Sequence, residues 1–317
     1  MIEGIPKISV LVITYNQEDV ISRAIESLLT QKDYIYEICV SDDCSKDRTW
    51  EILQDYSAKN PGLFVLNRNE PNIGIFENIE KTWTMPTGDI IYQLSGDDEC
   101  GEGWFEKVSN FVREKKLDCK NEAFTIYSDY KCVYPNGDSS VTHNIAIQEE
   151  PHNALRLSLR GIICSRGCCY SINVLKKFEK VSRGRSHEVE HVQDRLVQLN
   201  SLYNYYIPVV GNIYYASIGV SSHINEKVLQ ERLKIWPFTI DFFEKKGIVI
   251  KKKDNYFGKY IMFSDKYRYD RKYLTLLKTL WYYLRSRDFS LPYGDNYRTY
   301  IFALLRRLPH KKPITFK

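Results

Sequence analysis

The sequence predicts an α/β fold, a mostly parallel sheet flanked by helices, and three observations lead there. Ile8-Ser-Val-Leu-Val-Ile13 is a continuous run rich in β-branched residues, the pattern of a strand buried on both faces. Val20, Ile21, Ala24, Ile25, Leu28 and Leu29 then recur at helical spacing. A second such alternation follows, and the apolar run Ile90–Leu94 stops in Ser95-Gly96-Asp97-Asp98-Glu99. Strands alternating with helices imply parallel pairing through right-handed crossovers.

The elements follow in order. Thr14-Tyr15-Asn16 ends the first strand, and Asn16 suits a helix cap. A second strand, about Ile35 to Ser41, ends in Asp42-Asp43, and Ser45 suits the cap of a helix bearing Trp50, Ile52, Leu53 and Tyr56. Leu63–Leu66 reads as a short strand, 67–74 as a polar turn, Ile75–Trp83 as a helix and Asp89–Leu94 as the fourth strand. Two of these strands end in acids, so their carboxylates converge on the sheet edge where open α/β folds bind ligands. After Gly103 the pattern predicts a helix to Lys116 and a strand over Phe124–Tyr130, with Pro135-Asn136-Gly137-Asp138 turning a hairpin. Residues 139–160 carry no clear signal. Ile162–Ser171 reads as a strand, then a helix to about Phe178, a Gly- and Arg-bearing loop at Ser182–Ser186, a helix over Glu188–Leu202 and a strand over Val209–Ser217. From about Asn225 the pattern turns aromatic, basic and helical, including Tyr273–Leu284 and Tyr300–Leu308.

Composition narrows the class. The chain has 317 residues, 43% hydrophobic and 27% charged, ordinary globular values with room for one broad domain or two. A formal charge of +5 does not by itself indicate nucleic acid, although Lys and Arg crowd the end. The eight cysteines include no C-x-x-C pair, which favours buried thiols in a reducing cytoplasm over zinc or a disulfide framework. No secretory leader pattern is visible, and no apolar segment reaches the roughly 18–20 residues of a membrane span.

Three constellations carry chemistry. Thr14-Tyr15-Asn16 with Asp42-Asp43 and Ser45 offers acceptors and amides able to read a pyrimidine edge or ribose hydroxyls. Two capped helix N-termini would look the same. In Ser95-Gly96-Asp97-Asp98-Glu99, Gly96 permits a tight turn and Asp97 and Asp98 are oxygen ligands suited to Mg²⁺ or Mn²⁺ on a diphosphate. An acidic loop capping the helix near Trp104 is the plainer reading. In His187–Arg195, Glu190 and Asp194 lie one turn apart on an expected helix, as do His187 and His191. An Asp there suits a general base, whereas two histidines without a third ligand make a poor metal site.

The order of Ile8–Asn16, Ser41-Asp42-Asp43-Cys44-Ser45, Asn72-Ile73-Gly74, Ser95-Gly96-Asp97-Asp98 and Gln193-Asp194 resembles family 2 glycosyltransferases of the GT-A fold, over roughly residues 7–222. The resemblance implies a GT-A (Rossmann-like) sheet with a C-terminal helical extension. It also implies inverting transfer of a sugar from a nucleoside diphosphate, taken as UDP, to a hydroxyl of a glycan or lipid-linked glycan in bacterial surface polysaccharide synthesis. By that resemblance Thr14, Tyr15, Asn16 and Asp42 line the base and ribose, and Asn72 and Gly74 lie near the ribose and diphosphate. Asp97 takes the last acidic position of the D-x-D element and meets a divalent cation with Asp98, and Asp194 is the base. Three departures stand out: Ser95 replaces the first acid of D-x-D, Gln193 replaces the Glu of the Glu-Asp pair, and no His precedes Ser217, with His223 as a substitute. These departures motivate the alternative of a sugar-nucleotide-binding protein without catalysis. A phospho-receiver module, suggested by Asp42-Asp43, leaves most of the chain unexplained.

The implied domains are a nucleotide-sugar-binding half over 1–120, an acceptor-binding half over 121–224 and a basic aromatic helical region over 225–317. In that last region Tyr273, Leu276, Leu277, Leu280, Trp281 and Leu284 approximate one helical stripe, expected to pack as core beneath a solvated basic face. The sharper alternative is docking to the inner, anionic face of a membrane, with the enzyme otherwise cytoplasmic. No nucleic-acid module accompanies the basic residues.

Overall fold

A computed structural model describes residues 5–182, 187–216, 226–270 and 272–288. Strand β1 (Ile8–Thr14) is buried along its whole length, which is why it shows no polar alternation. It pairs in parallel with β2 (Ile35–Asp42) on one side and β4 (Ile90–Ser95) on the other, and β3 (Phe64–Arg68) lies parallel beyond β2. The crossovers run through α1 (Ile21–Leu29), α2 (Thr49–Lys59) and α3 (Ile75–Thr82). Thr14 stands opposite Asp42 and Ile13 opposite Ser95, so both acidic strand ends leave the sheet at one edge.

The second half extends the same sheet. It comprises β5 (Glu99–Cys100), α4 (Trp104–Lys115), the hairpin of β6 (Phe124–Val133) and β7 (Ser139–Thr142), then α5 (Ala146–Glu149) and α6 (Ala154–Leu159). These are followed by β8 (Cys169–Ser171), α7 (Ile172–Leu175), α8 (Glu190–Gln193), α9 (Leu196–Asn200) and β9 (Tyr203–Tyr215). The strand order is β3-β2-β1-β4-β8-β6-β9-β5, with β7 paired to β6. The sheet is therefore the α/β sheet expected but evenly mixed: β3-β2-β1-β4 and the β6–β9 pair are parallel, whereas β4–β8, β8–β6, β6–β7 and β9–β5 are antiparallel. Its faces carry separate cores: Val10, Val12, Ile25, Trp104 and Phe105 on one, Leu11, Ile91, Tyr127, Leu157 and Tyr170 on the other. Cys39, Cys100, Cys168 and Cys169 are buried in these layers, and burial pushes their thiols well above the usual range.

Three helices follow: α10 (Glu226–Lys245), α11 (Lys252–Asp270) and α12 (Tyr273–Ser286). They are fastened to the sheet region by charge and by aromatic packing. Arg156 Nε lies 2.8 Å from Asp254 Oδ2 and its Nη2 meets Asp288, while Arg160 donates to the Ser286 carbonyl at 2.9 Å. Phe238 and Phe242 of α10 pack against Phe76, Val189, Val192 and Leu196. No described helix is long and apolar enough to cross a membrane.

Several expectations change. Of Ile162–Ser171 only Cys169–Ser171 is strand, because Gly167 takes a left-handed φ of 71° and its carbonyl is held by the Ser128 hydroxyl at 3.0 Å. The helix expected over Glu188–Leu202 breaks into a 3₁₀ turn, α8 and α9, with Asp194-Arg195 at the break. Strand β9 begins at Tyr203, earlier than expected. In α12 the expected core stripe faces outward: Tyr273, Leu277, Leu280, Trp281 and Leu284 are exposed and Leu276 is half-buried, whereas Thr275, Thr279, Tyr283 and Ser286 are buried. The apolar spacing was read correctly, but α11 takes the opposite face, where Tyr283 packs against Tyr260. Ser217, Ile224 and the helix expected at Tyr300–Leu308 lie outside the described residues.

Gly258 of α11 sits on the Trp236 indole of α10, where an added Cβ would meet Cδ2 at 1.9 Å. Gly258→Ala is expected to destabilise this packing by about 1–3 kcal/mol, read as a lowered thermal midpoint.

Candidate active site

The site assembles at the carboxyl edge of β1, β2 and β4. Asn16 follows β1 in the left-handed region, φ 50°, which Asn tolerates better than most residues. Its amide donates to Ser45 Oγ at 2.9 Å and its Oδ1 accepts from the Lys46 amide at 2.8 Å, pinning the two strand ends together. Thr14 is buried and its hydroxyl donates to Gln17 Oε1 at 2.7 Å, whereas the Tyr15 ring is exposed. Asp42 is fully buried: both oxygens accept from Ser45, and Arg68 lies 3.5 Å away. Burial pushes the Asp42 carboxyl above its usual range, against the Ser45 hydrogen bonds and the Arg68 charge.

Asp43 organises the next loop. Its oxygens accept from the Asn72 amide nitrogen at 2.7 Å, the Ile73 amide at 2.8 Å and the Gly74 amide at 2.8 Å. Gly74 has φ 95°, a backbone state glycine adopts without strain, and it precedes α3. Asn72 and Gly74 are thus brought beside Asp43, which the sequence had grouped with Asp42 without giving it this role.

The acidic loop lies one strand away. Gly96 packs closely here: an added Cβ would meet Gln17 Oε1 at 2.4 Å and the Ile13 carbonyl at 3.1 Å, so a larger residue would displace the Gln17 side chain. The Asp97 carboxylate takes a hydrogen bond from Gln17, so the Thr14 edge and the acidic loop share one amide side chain. Arg23 donates to the Asp97 carbonyl at 2.7 Å, pairs with Glu99 at 3.1 Å and lies 3.6 Å over the Tyr215 ring. Asp98 is buried, accepts from the Tyr215 amide at 3.3 Å and lies 3.6 Å from Arg166 Nη1. Burial, then the neighbouring Asp97 charge, pushes the Asp98 carboxyl up to about 7, with Arg166 opposing. Asp97 is raised as well, chiefly by burial.

Asp194 reaches this cluster through Arg166. It caps the end of α8 with solvent access, and the Ser165 hydroxyl donates to its carbonyl at 3.3 Å. Desolvation raises its carboxyl above the usual range, and the charges of Arg195 and Arg166 oppose that rise. Arg166 in turn feels both Asp98 and Asp194, so the strand-end acids and the later carboxylate border one cationic group. Gln193 points elsewhere, into the buried layer against α3. His187 is paired with Glu231 of α10 at 2.8 Å, and His191 packs beside Trp236, so the two histidines do not converge.

Among the described residues no three His, Cys, Asp or Glu side chains gather as a metal set. Asp97 and Asp98 nonetheless fit a hard divalent cation: two adjacent carboxylates, both raised by burial, with the Asp97 charge raising Asp98 further, in spite of Arg166 and Arg23. Their other ligands would have to be phosphate oxygens or water. His223 lies outside the described residues. Sequence reasoning missed Arg166 and Arg23; neither sits in a motif, and only the fold brings residue 166 to residue 98.

Comparison with known proteins gives the following. The model for "Glycosyl transferase family 2" matches residues 9–166. A Bacillus spizizenii poly(ribitol-phosphate) beta-glucosyltransferase is 26% identical over 271 residues, covering 78% of this chain and 42% of that protein. The putative glycosyltransferase EpsE of Bacillus subtilis is 33% identical, covering 35% of this chain and 40% of its own. A Mycobacterium tuberculosis protein of uncharacterized role is 28% identical over 41% of this chain and 36% of its own length, so the chain spans well under two thirds of these relatives. Among solved structures, S. aureus TarS 1-349 in complex with UDP-GlcNAc superposes with a TM-score of 0.59 at 18% identity, covering 87% of this chain and 79% of that one. At that identity the shared property is the fold, GT-A with a helical C-terminal part.

The raised Asp98 carboxyl has a signed consequence. The folded state holds the Asp98 proton more tightly than the unfolded chain, so its contribution favours folding at low pH and is lost as pH rises from about 4 to about 7. Asp98→Asn is therefore expected to gain thermal stability relative to wild type at pH 8 compared with pH 5, measured in chelator.

Proposed function

Through residues 9–166 the chain belongs to glycosyl transferase family 2, and from that premise we propose that it catalyses inverting transfer of a sugar from a nucleoside diphosphate, UDP in the first instance, to a hydroxyl of a glycan or lipid-linked glycan. The observation that carries the proposal is Arg166, bordered by Asp98 from the strand edge and Asp194 from the later helix. Relatives bearing the names chondroitin synthase, from Pasteurella multocida, and poly(ribitol-phosphate) beta-glucosyltransferase support bacterial polysaccharide assembly as the setting. Donor residues would fall in 1–120, acceptor residues in 121–224, and 225–317 would be the helical extension.

In this reading Thr14, Tyr15, Asn16 and Asp42 line the nucleoside pocket, with Asn72 and Gly74 toward the ribose and diphosphate. Asp97 and Asp98 would hold Mg²⁺ or Mn²⁺, which when bound supplies charge stabilisation to the departing diphosphate. Arg166 and Arg23 supply fixed positive charge at the same place. Asp194 takes the proton from the acceptor hydroxyl as its oxygen bonds to the anomeric carbon and the bond to the diphosphate breaks. A raised Asp194 carboxyl is the better proton acceptor, at the cost of activity in acid.

Membrane docking is proposed for the exposed face of α12, where Leu274, Leu277, Trp281 and Leu284 lie on one helix with Lys278 and Arg285. On this reading the enzyme is cytoplasmic and peripheral on the inner leaflet.

Asp194→Asn is expected to keep donor binding and lose transfer by about 10²–10⁴-fold, measured by donor calorimetry and product formation. In the wild type the acid limb of kcat/KM should lie above the ordinary carboxylate range, because the Asp194 carboxyl is raised. Near-normal turnover in the variant would remove Asp194 as base. Leu277→Glu with Trp281→Glu should abolish co-sedimentation of the full chain with anionic phosphatidylserine vesicles while leaving soluble-acceptor activity intact.

A further inference from the structure

Helix α3 joins the two halves of the site. At its start, Asp43 holds the Ile73 and Gly74 amides and the Asn72 side chain. One turn on, Asn78 donates to the Ser41 carbonyl at 3.0 Å and accepts from Asn69 at 2.8 Å, fixing α3 to the end of β2. Near its far end the buried Glu80 carboxylate accepts from the amides of Val181 and Ser182, each at 2.7 Å, and from the Ser182 hydroxyl. The same carboxylate accepts from Gln193 Nε2 at 2.9 Å, and that nitrogen also lies 3.1 Å from the Phe76 carbonyl. Phe76 and Ile79 pack against Val189, Val192 and Leu196, the apolar face of the segment carrying Asp194.

We infer that α3 is a strut setting the separation between the donor-phosphate loop and the Asp194 carboxylate, and that Glu80 is the positioning residue at its far end. The inference rests on the transferase reading above. Asp194 directly follows Gln193, so the clamp on Gln193 fixes the base at one remove. It also accounts for Gln193 where the resembled family has Glu. Glu80 already supplies a buried carboxylate to that pair, and a second one 2.9 Å away would be two like charges without a counterion between them. The amide donates where an acid would repel. Transfer needs the acceptor oxygen held close to the anomeric carbon, and a displacement of about 1 Å can cost roughly 100-fold in rate.

The test uses the full chain with Gln193→Glu, Glu80→Gln and the double variant. Gln193→Glu is expected to lower kcat per folded enzyme roughly 100-fold with the calorimetric donor Kd unchanged. Glu80→Gln added to it should restore roughly tenfold or more, the non-additivity expected of one coupled pair. A role in folding alone would instead lower donor affinity and turnover together, in step with the folded fraction. Amide hydrogen exchange supplies a readout that needs no activity: Gln193→Glu should deprotect residues 187–200 and leave β1–β4 protected. If the wild type transfers no sugar, the functional reading fails while the exchange data still judge the clamp. Unchanged protection of 187–200, or a double variant no better than Gln193→Glu alone in both readouts, overturns the inference.

Discussion

Crowded negative charge is the constraint around which the rest of this protein is arranged. Parallel pairing of β1 with β2 and β4 delivers Asp42, Asp43, Asp97, Asp98 and Glu99 to one sheet edge, and such a cluster repels itself. Each acid is met differently. Asp42 is offset by Ser45 and Arg68, Asp43 by amides of the next loop, and Glu99 by Arg23. Asp97 and Asp98 are adjacent and, like Asp42, carry raised carboxyls in spite of Arg166 and Arg23, the mark of a place prepared for added positive charge. Arg166 comes from far along the chain and supplies part of that charge.

The C-terminal helices belong to this arrangement. Glu231 holds His187 in the turn before α8, and Phe238 and Phe242 complete the apolar layer beneath the Asp194 segment. The Arg156–Asp254 and Arg160–Ser286 contacts tie α11 and the end of α12 to α6. A cut before α10 would therefore expose the underside of the site, so contributions of the helices to membrane contact and to the fold of the site are separable only by point changes on α12.

Legibility followed the range of the interaction. The β-branched run of β1, the helical spacing of α1 and the acids ending β2 and β4 are local patterns, and all were readable along the chain. The hairpin at Asn136-Gly137 was equally local. Where a segment's conformation depended on a remote partner, reading failed. The loop before β8 is shaped by Ser128, and the helix after His187 is divided at Asp194 where it meets α3 and α10. The α12 stripe had the right period and the wrong side, since periodicity marks a face without saying what covers it.

By itself the sequence determined the alternation of strands and helices and the acids at their ends, because strand burial and helix spacing are written in neighbouring residues. It also named Asp194 as a carboxylate of interest. Only the tertiary structure decided that Arg166 pairs with Asp98 and also feels the Asp194 charge, that Asp43 organises the Asn72–Gly74 loop, and that Gln193 answers Glu80. Those pairings join residues tens to more than a hundred positions apart, and the free energy of bringing such groups together is settled by packing, which no local pattern encodes.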